Sequence, residues 1–347
     1  MDAAQKTTDA PSTPADHPPV VTLIGADIPE AYLDDAEPSP LMNAVSNFWG
    51  RVMNYLRMGL AAFLVFGYPA AVVLSHQIND QPVLLPQTNN WASAEAGTAL
   101  TLLGRELTGP GWVTDRSAWH PQSRLTALPA WQNGIASGLS DYAGLMATQT
   151  VDDAGQIDED LDAASRLLAP AAGVTAIPRL NAAAEALQRY DGRLARDLAD
   201  AVDGEAVFDA KLALYGDWAI DAADKLKKQA DSAEAWPASQ ADIEAIYDAR
   251  AHAHVAHQMI LAALTEEPNL LSAEGATQAA DRVFFTWRRA AEFSPLIVTS
   301  QASTGSILSD HPATLSFYMS EAAQATQNLR DVLTPPSDAA LSVASAG

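Results

Sequence analysis

The chain has 347 residues, 48% hydrophobic and 18% charged, which suffices for one large domain or two small ones and is too apolar for a wholly disordered protein. Its 43 acidic and 20 basic residues give a formal charge of −23, which argues against nucleic acid, whose phosphates demand a basic footprint. The absence of cysteine excludes disulfides, thiolate metal sites and cysteine nucleophiles.

Residues 1–40 are rich in Pro, Asp, Ser and Thr without a sustained period, and read as a disordered cytoplasmic tail. Over 41–57, Leu41, Val45, Phe48, Trp49, Val52 and Leu56 recur at helical spacing, as in an amphipathic helix lying along a bilayer interface. Met58 to Leu74 is then a run of 17 uncharged residues. At 1.5 Å per residue this is about 25 Å of helix, slightly short of a hydrocarbon core of ~30 Å. Arg57 can snorkel at one end and residues 75–78 can extend the other. The expectation is a transmembrane helix over 58–78 that binds the lipid bilayer, with Trp49, Arg51, Arg57, Phe63, Leu64, Phe66 and Leu74 as anchoring residues.

A buried core helix of a soluble protein is the competing reading of this run. A cleaved signal peptide fits less well, because 57 residues precede the run in place of a short basic leader. Small residues at Gly59, Ala61, Ala62, Gly67, Ala70 and Ala71 would permit close self-association. Arg51 and Arg57 precede the run, while the first base after it is Arg105. The positive-inside rule therefore leaves the N-terminus in the cytoplasm and sends the remainder across the membrane. Carboxylates contribute little to topology, so the net −18 of residues 75–347 does not reverse this orientation.

Residues 79–90, with Pro82, Pro86, Asn89 and Asn90, resemble an extended stalk. Helical patterns dominate beyond it: 91–107 behind an Asn cap and ending at Gly109-Pro110-Gly111, then 130–150 (weakened by Gly134, Gly138 and Gly144), 158–169, 180–202 and 206–231. Three more cover 239–266, 273–293 and 312–333, and residues 109–129 read as a loop. Only 296–299 carries a strand signal, and it is too short to build a sheet. The expected fold is all-α, with a single N-terminal transmembrane helix followed by a helical-bundle extracytoplasmic domain over 91–333. An acidic break near 151–160 could subdivide that domain, and 334–347 reads as a flexible tail.

The 239–266 helix breaks its own pattern. Ile243, Ile246, Tyr247, Leu261 and Leu264 define an apolar face, and at 100° per residue Arg250, His254 and His257 fall on that face too. A buried guanidinium must find a carboxylate or carbonyls, or else line a wet cleft. His252 points the opposite way, towards Asp248. His254 and His257 could form a metal-ligand or acid/base pair with a carboxylate such as Asp310, or could be satisfied polar groups in a helical interior. HExxH and ExxH patterns are both absent, so zincin and di-iron chemistry lack their ligands. Ser303, Thr304, Gly305 and Ser306 could add polar donors beside this helix, or could belong to an ordered connection. Among the tryptophans, 112, 119, 131, 218, 236 and 287 suit core positions, and an exposed one within 109–131 could instead grip a partner.

Three blocks carry a family resemblance: TALTLLGRELTGPGWVTD, DIEAIYDARAHAHVAHQMILAAL and SPLIVTSQASTGSILSDHPATLSFYMSEAAQATQNLRDVL. Residues 75–333 resemble the bacterial domain of unknown function 2333, a family of single-pass envelope proteins of Gram-negative bacteria. The resemblance implies a location and a helical fold, and carries no activity. The expected function is a non-enzymatic binding or scaffolding module of the inner membrane, with an envelope protein or a second copy as partner and no cofactor. The alternative is an envelope metal-dependent or acid/base hydrolase built on Arg250, His254 and His257.

Overall fold

A computed structural model of the chain describes residues 40–74, 78–83, 91–150, 155–171, 173–232, 238–295 and 310–334. The chain divides into two compact units, with the boundary between Ala62 and Phe63. The first contains α1 (Pro40–Ala62), on which Trp49, Arg51 and Arg57 are all exposed. No break separates 41–57 from 58–62, so the two helices expected there are one element. The helix over Ala44–Val72, with mean hydropathy 1.4, is long and apolar enough to cross a membrane, and none of its most apolar stretch is buried. A core helix of a soluble protein would be mostly covered. Phe63, Leu64, Phe66 and Leu74 are likewise exposed.

The second unit begins with a π-helical turn (Phe63–Gly67) and α2 (Tyr68–Leu74). Its remaining helices are α3 (Ala94–Thr108), α4 (Ala127–Gln149), α5 (Glu159–Leu168), α6 (Ala176–Leu194), α7 (Glu205–Ser232), α8 (Gln240–Glu266), α9 (Ala276–Ala291) and α10 (His311–Leu333). Among the described residues there is no strand. The 296–299 strand signal and the tails at 1–39 and 335–347 lie outside them.

Local chemistry fixes the helix starts. Ser239 and Asp242 form a reciprocal capping box on α8, and the Asp158 carboxylate accepts from the amides of Asp160 and Leu161. The cap of α3 is Ser93, whose hydroxyl accepts from Ala96 N–H, so the helix begins three residues later than the expected Asn cap placed it. At its other end Gly109 closes the helix as expected.

Packing is organised around α8, which touches α3, α4, α7, α9 and α10. Ala249, Ala251, Ala253, Val255, Ala256, Met259 and Ile260 are all buried, so this helix is covered nearly all round, while Leu261, expected on its apolar face, is exposed. A helix inside a bundle has no single wet side, and the one-face reading of 239–266 fails for that reason. Small residues let its neighbours come close. A Cβ added to Gly134 of α4 would lie 2.6 Å from the Cβ of Ala251. Of the glycines that weaken the helical pattern of α4, Gly134 thus permits its close contact with α8, and Gly144 lies against Ser165 of α5. On α10, Leu315, Met319, Ala322, Ala325, Leu329 and Leu333 form one buried stripe at helical spacing.

One hydrophobic core runs from Val83 to Leu333. The subdivision expected near 151–160 does not split it, because α5 packs against both α4 and α6. The stalk expected over 79–90 is also revised: Ile78 packs on the core and Val83 is buried within it. Residues 84–90 lie outside the described residues.

Candidate functional site

Two of the polar clusters buried among the described residues involve α3. The first surrounds the residues the sequence singled out. Arg250 is 2% exposed and lies in the middle of α8. Its Nη2 donates to Asp80 Oδ2 at 3.2 Å and its Nε to the Ala291 carbonyl at 3.3 Å. The guanidinium also lies over the rings of Tyr247 and Trp131, 5.1 and 5.6 Å from their centroids. Burial lowers the Arg250 pKa, and Tyr247 and Asp80 oppose that shift.

The carboxylate that satisfies Arg250 therefore comes from the segment immediately after α2. The same segment is held twice more. Arg105 of α3 donates to the carbonyls of Gln81 and Pro82 at 2.6 and 3.0 Å, and Val83 N–H donates to Gln258 Oε1 at 2.8 Å. Residues 80–83 form a strap bound to α3 and α8.

Trp131 joins this cluster to α3, since its Nε1 donates to Glu106 Oε1 at 2.9 Å. Gln132 donates to the other Glu106 oxygen and to the Gly111 carbonyl, and accepts from Val113 N–H. Burial raises the Glu106 carboxyl pKa despite these donors. Together they fix the loop that follows α3.

His254 packs on Trp131, ring centroids 5.4 Å apart, and its buried Nε2 has no hydrogen-bond partner. Burial pulls its pKa down to about 3, with His257, Arg105 and Arg250 adding to the effect. His257 is drawn down to about 4 by burial, with Arg288 adding and Glu292 opposing. Its Nδ1 lies 2.9 Å from Gln258 Nε2, and its ring meets Phe284 edge-on. Both imidazoles are neutral at physiological pH. His252 turns towards Asp248 as expected, its Nδ1 3.0 Å from that residue's carbonyl.

Asp310, expected as the carboxylate for the histidines, caps α10 by accepting from Ala313 N–H. Ser303, Thr304, Gly305 and Ser306 lie outside the described residues. Among those described, no group of three or more His, Asp or Glu side chains could hold a metal ion. The expected pair His254–His257 thus has no third ligand beside it, and Arg250 is sealed between α8, α9, Trp131 and the strap.

Pattern reading missed the second cluster. Glu95 in the first turn of α3 and Lys211 of α7 form an ion pair at 2.7 Å, and both are buried. Tyr142 Oη donates to the same Glu95 oxygen at 2.6 Å, leaving the buried Oε1 without a partner. Burial raises the Glu95 pKa, opposed by Lys211 and Tyr142. The pair borders a cavity of about 30 Å³ open to water centres, with Tyr190, Val202 and Glu266 among its walls. That space suits one or two waters and is too small for an organic substrate. The missed signal was an acid in the first turn of a helix, ordinarily an exposed partner of the helix dipole.

No family model, curated protein or solved structure matches the chain.

Proposed function

We infer that this chain is a membrane-anchored envelope protein. On this reading α1 and α2 carry the span of the bacterial inner membrane, the N-terminus stays in the cytoplasm, and the helical bundle stands in the periplasm as a non-enzymatic binding or scaffolding module. The observation that carries the reading is the uncovered apolar helix over Ala44–Val72, with Arg51 and Arg57 in its N-terminal half. The strap at 80–83 supports it: pinned by Arg105, Arg250 and Gln258, it would hold the bundle close to the membrane surface.

The acidic surface favours basic protein partners over nucleic acid. Protease treatment of spheroplasts should digest the bundle, while alkaline carbonate should leave the protein in the membrane pellet. Crosslinking followed by purification in detergent should recover a stoichiometric partner or a second copy. Full-length protein that stays in the supernatant without detergent overturns the anchor, and protection of the bundle in spheroplasts overturns the orientation.

A further inference from the structure

Beyond the candidate span, one described tryptophan stands out by its exposure. Trp112, Trp131, Trp218 and Trp287 are buried, whereas Trp119 is 82% exposed. It sits at the tip of a tight turn in which His120 N–H donates to the Ser117 carbonyl at 2.9 Å. Ser123 Oγ donates to the carbonyls of Ala118 and His120, at 3.1 and 2.6 Å, and braces the turn from behind. The indole is thus presented on a fixed support.

Charge and position give this turn a direction. In a chain with more than twice as many acids as bases, residues 116–140 contain no Asp or Glu, but do contain Arg116, His120 and Arg124. Both arginines are exposed. The adjacent Asp115 is turned into the bundle, where its carboxylate accepts from the amides of Ala176 and Ile177 at 2.8 Å each. The next turn, Pro121–Arg124, packs against α2. From Arg57 at the inner interface, the uncharged helical run Met58 to Leu74 rises about 25 Å and so nears the outer interface of a ~30 Å core. Its last turns, and whatever packs on them, then lie at headgroup level.

We propose that the Trp119 turn is a second membrane contact, in which the indole enters the interface of the leaflet around α2 and Arg116 and Arg124 meet anionic lipid headgroups. Tryptophan favours that zone because its ring is apolar while its N–H stays hydrated, and arginine binds phosphate in two-pronged fashion. A net acidic domain would otherwise be repelled by such a surface, and the 116–140 stretch adds no carboxylate of its own there. The proposal rests on the membrane-anchored reading above.

Because the chain lacks cysteine, single labels can be placed without background. Full-length S117C and, separately, L60C, each carrying an environment-sensitive fluorophore, are reconstituted into vesicles of phosphatidylcholine with phosphatidylglycerol, containing lipid-borne nitroxide quenchers. Both labels should be quenched. Trp119→Ser in the S117C background should cut quenching at 117 about twofold or more and leave L60C unaffected, and omitting phosphatidylglycerol should weaken it in the same direction. Quenching at 60 without quenching at 117 overturns the second contact and leaves the span intact, and then Trp119 faces a protein. Absence of quenching at both sites overturns the span, and the proposal with it.

Discussion

Asp80 and Arg250 stand 170 positions apart in the chain and 3.2 Å apart in space. This pair ties the first residues after the candidate span to the middle of the central helix. The two ends of the bond differ in exposure: Arg250 is sealed, whereas the Asp80 side chain is 32% exposed and can be rehydrated. Removing the acid should therefore hurt more than removing both partners. We expect Asp80→Ala to cost about 1–3 kcal/mol in detergent-solubilised protein, and the double variant Asp80→Ala/Arg250→Met to recover part of that loss. Denaturant midpoints of the two variants decide it. A double variant less stable than Asp80→Ala alone contradicts the account.

The buried pair of Glu95 and Lys211 gives a sharper version of the same test. Lys211→Met leaves a carboxylate in the core with only Tyr142 to stabilise it, and should cost about 3–5 kcal/mol. Glu95→Gln in that background removes the stranded charge and should restore much of the loss. Thermal melts at neutral pH would compare them, and a purely additive second substitution would show that the charge is not the cause.

Gly134 and Gly104 both lie inside helices and should respond oppositely to alanine. At Gly134 the added methyl meets Ala251 and the Asp248 carbonyl, so overpacking should cost about 1–3 kcal/mol. At Gly104 nothing lies within 4 Å, and reduced freedom of the unfolded chain should stabilise by about 0.4–1 kcal/mol. Equal shifts in melting temperature at the two sites would contradict close packing of α4 on α8.

Acid should destabilise the bundle through His254. Its pKa falls from 6.5 in the unfolded chain to about 3 in the core, so between those values the unfolded state binds more protons. Stability from this residue is complete above pH ~6.5 and drains as pH falls, by about 1.4 kcal/mol per pH unit. The buried carboxyl of Glu106 acts with the opposite sign above 4.5, because its folded pKa is raised. Between pH 7 and 5, wild type should lose about 2 kcal/mol more than His254→Leu. Parallel stability profiles for the two proteins would show that His254 is not desolvated.

Helix positions were legible in the sequence because each element carries its own period and punctuation. The stripe on α10, the glycine stop of α3 and the acidic start of α5 are local signals. Partners across the fold were not legible. That Arg250 needed a partner followed from its place on an apolar face, but nothing local pointed to Asp80, which sits in a Pro-containing stretch that reads as a stalk. Glu95 was invisible for a related reason. A first-turn acid is ordinarily solvated, and only the arrival of α7 with Lys211 buries it. The apparent faces of α8 misled because amphipathic reasoning assumes a wet side, and this helix is enclosed.

The enclosure of α8 has a further consequence, for biogenesis. The faces of α3 and α4 that rest on it are complete by residue 149, yet the axis they need begins at residue 240. A ribosome must therefore release roughly ninety more residues before those greasy surfaces can be covered. Early intermediates of this chain are sticky by design of their order, and maturation hinges on the late delivery of its hub.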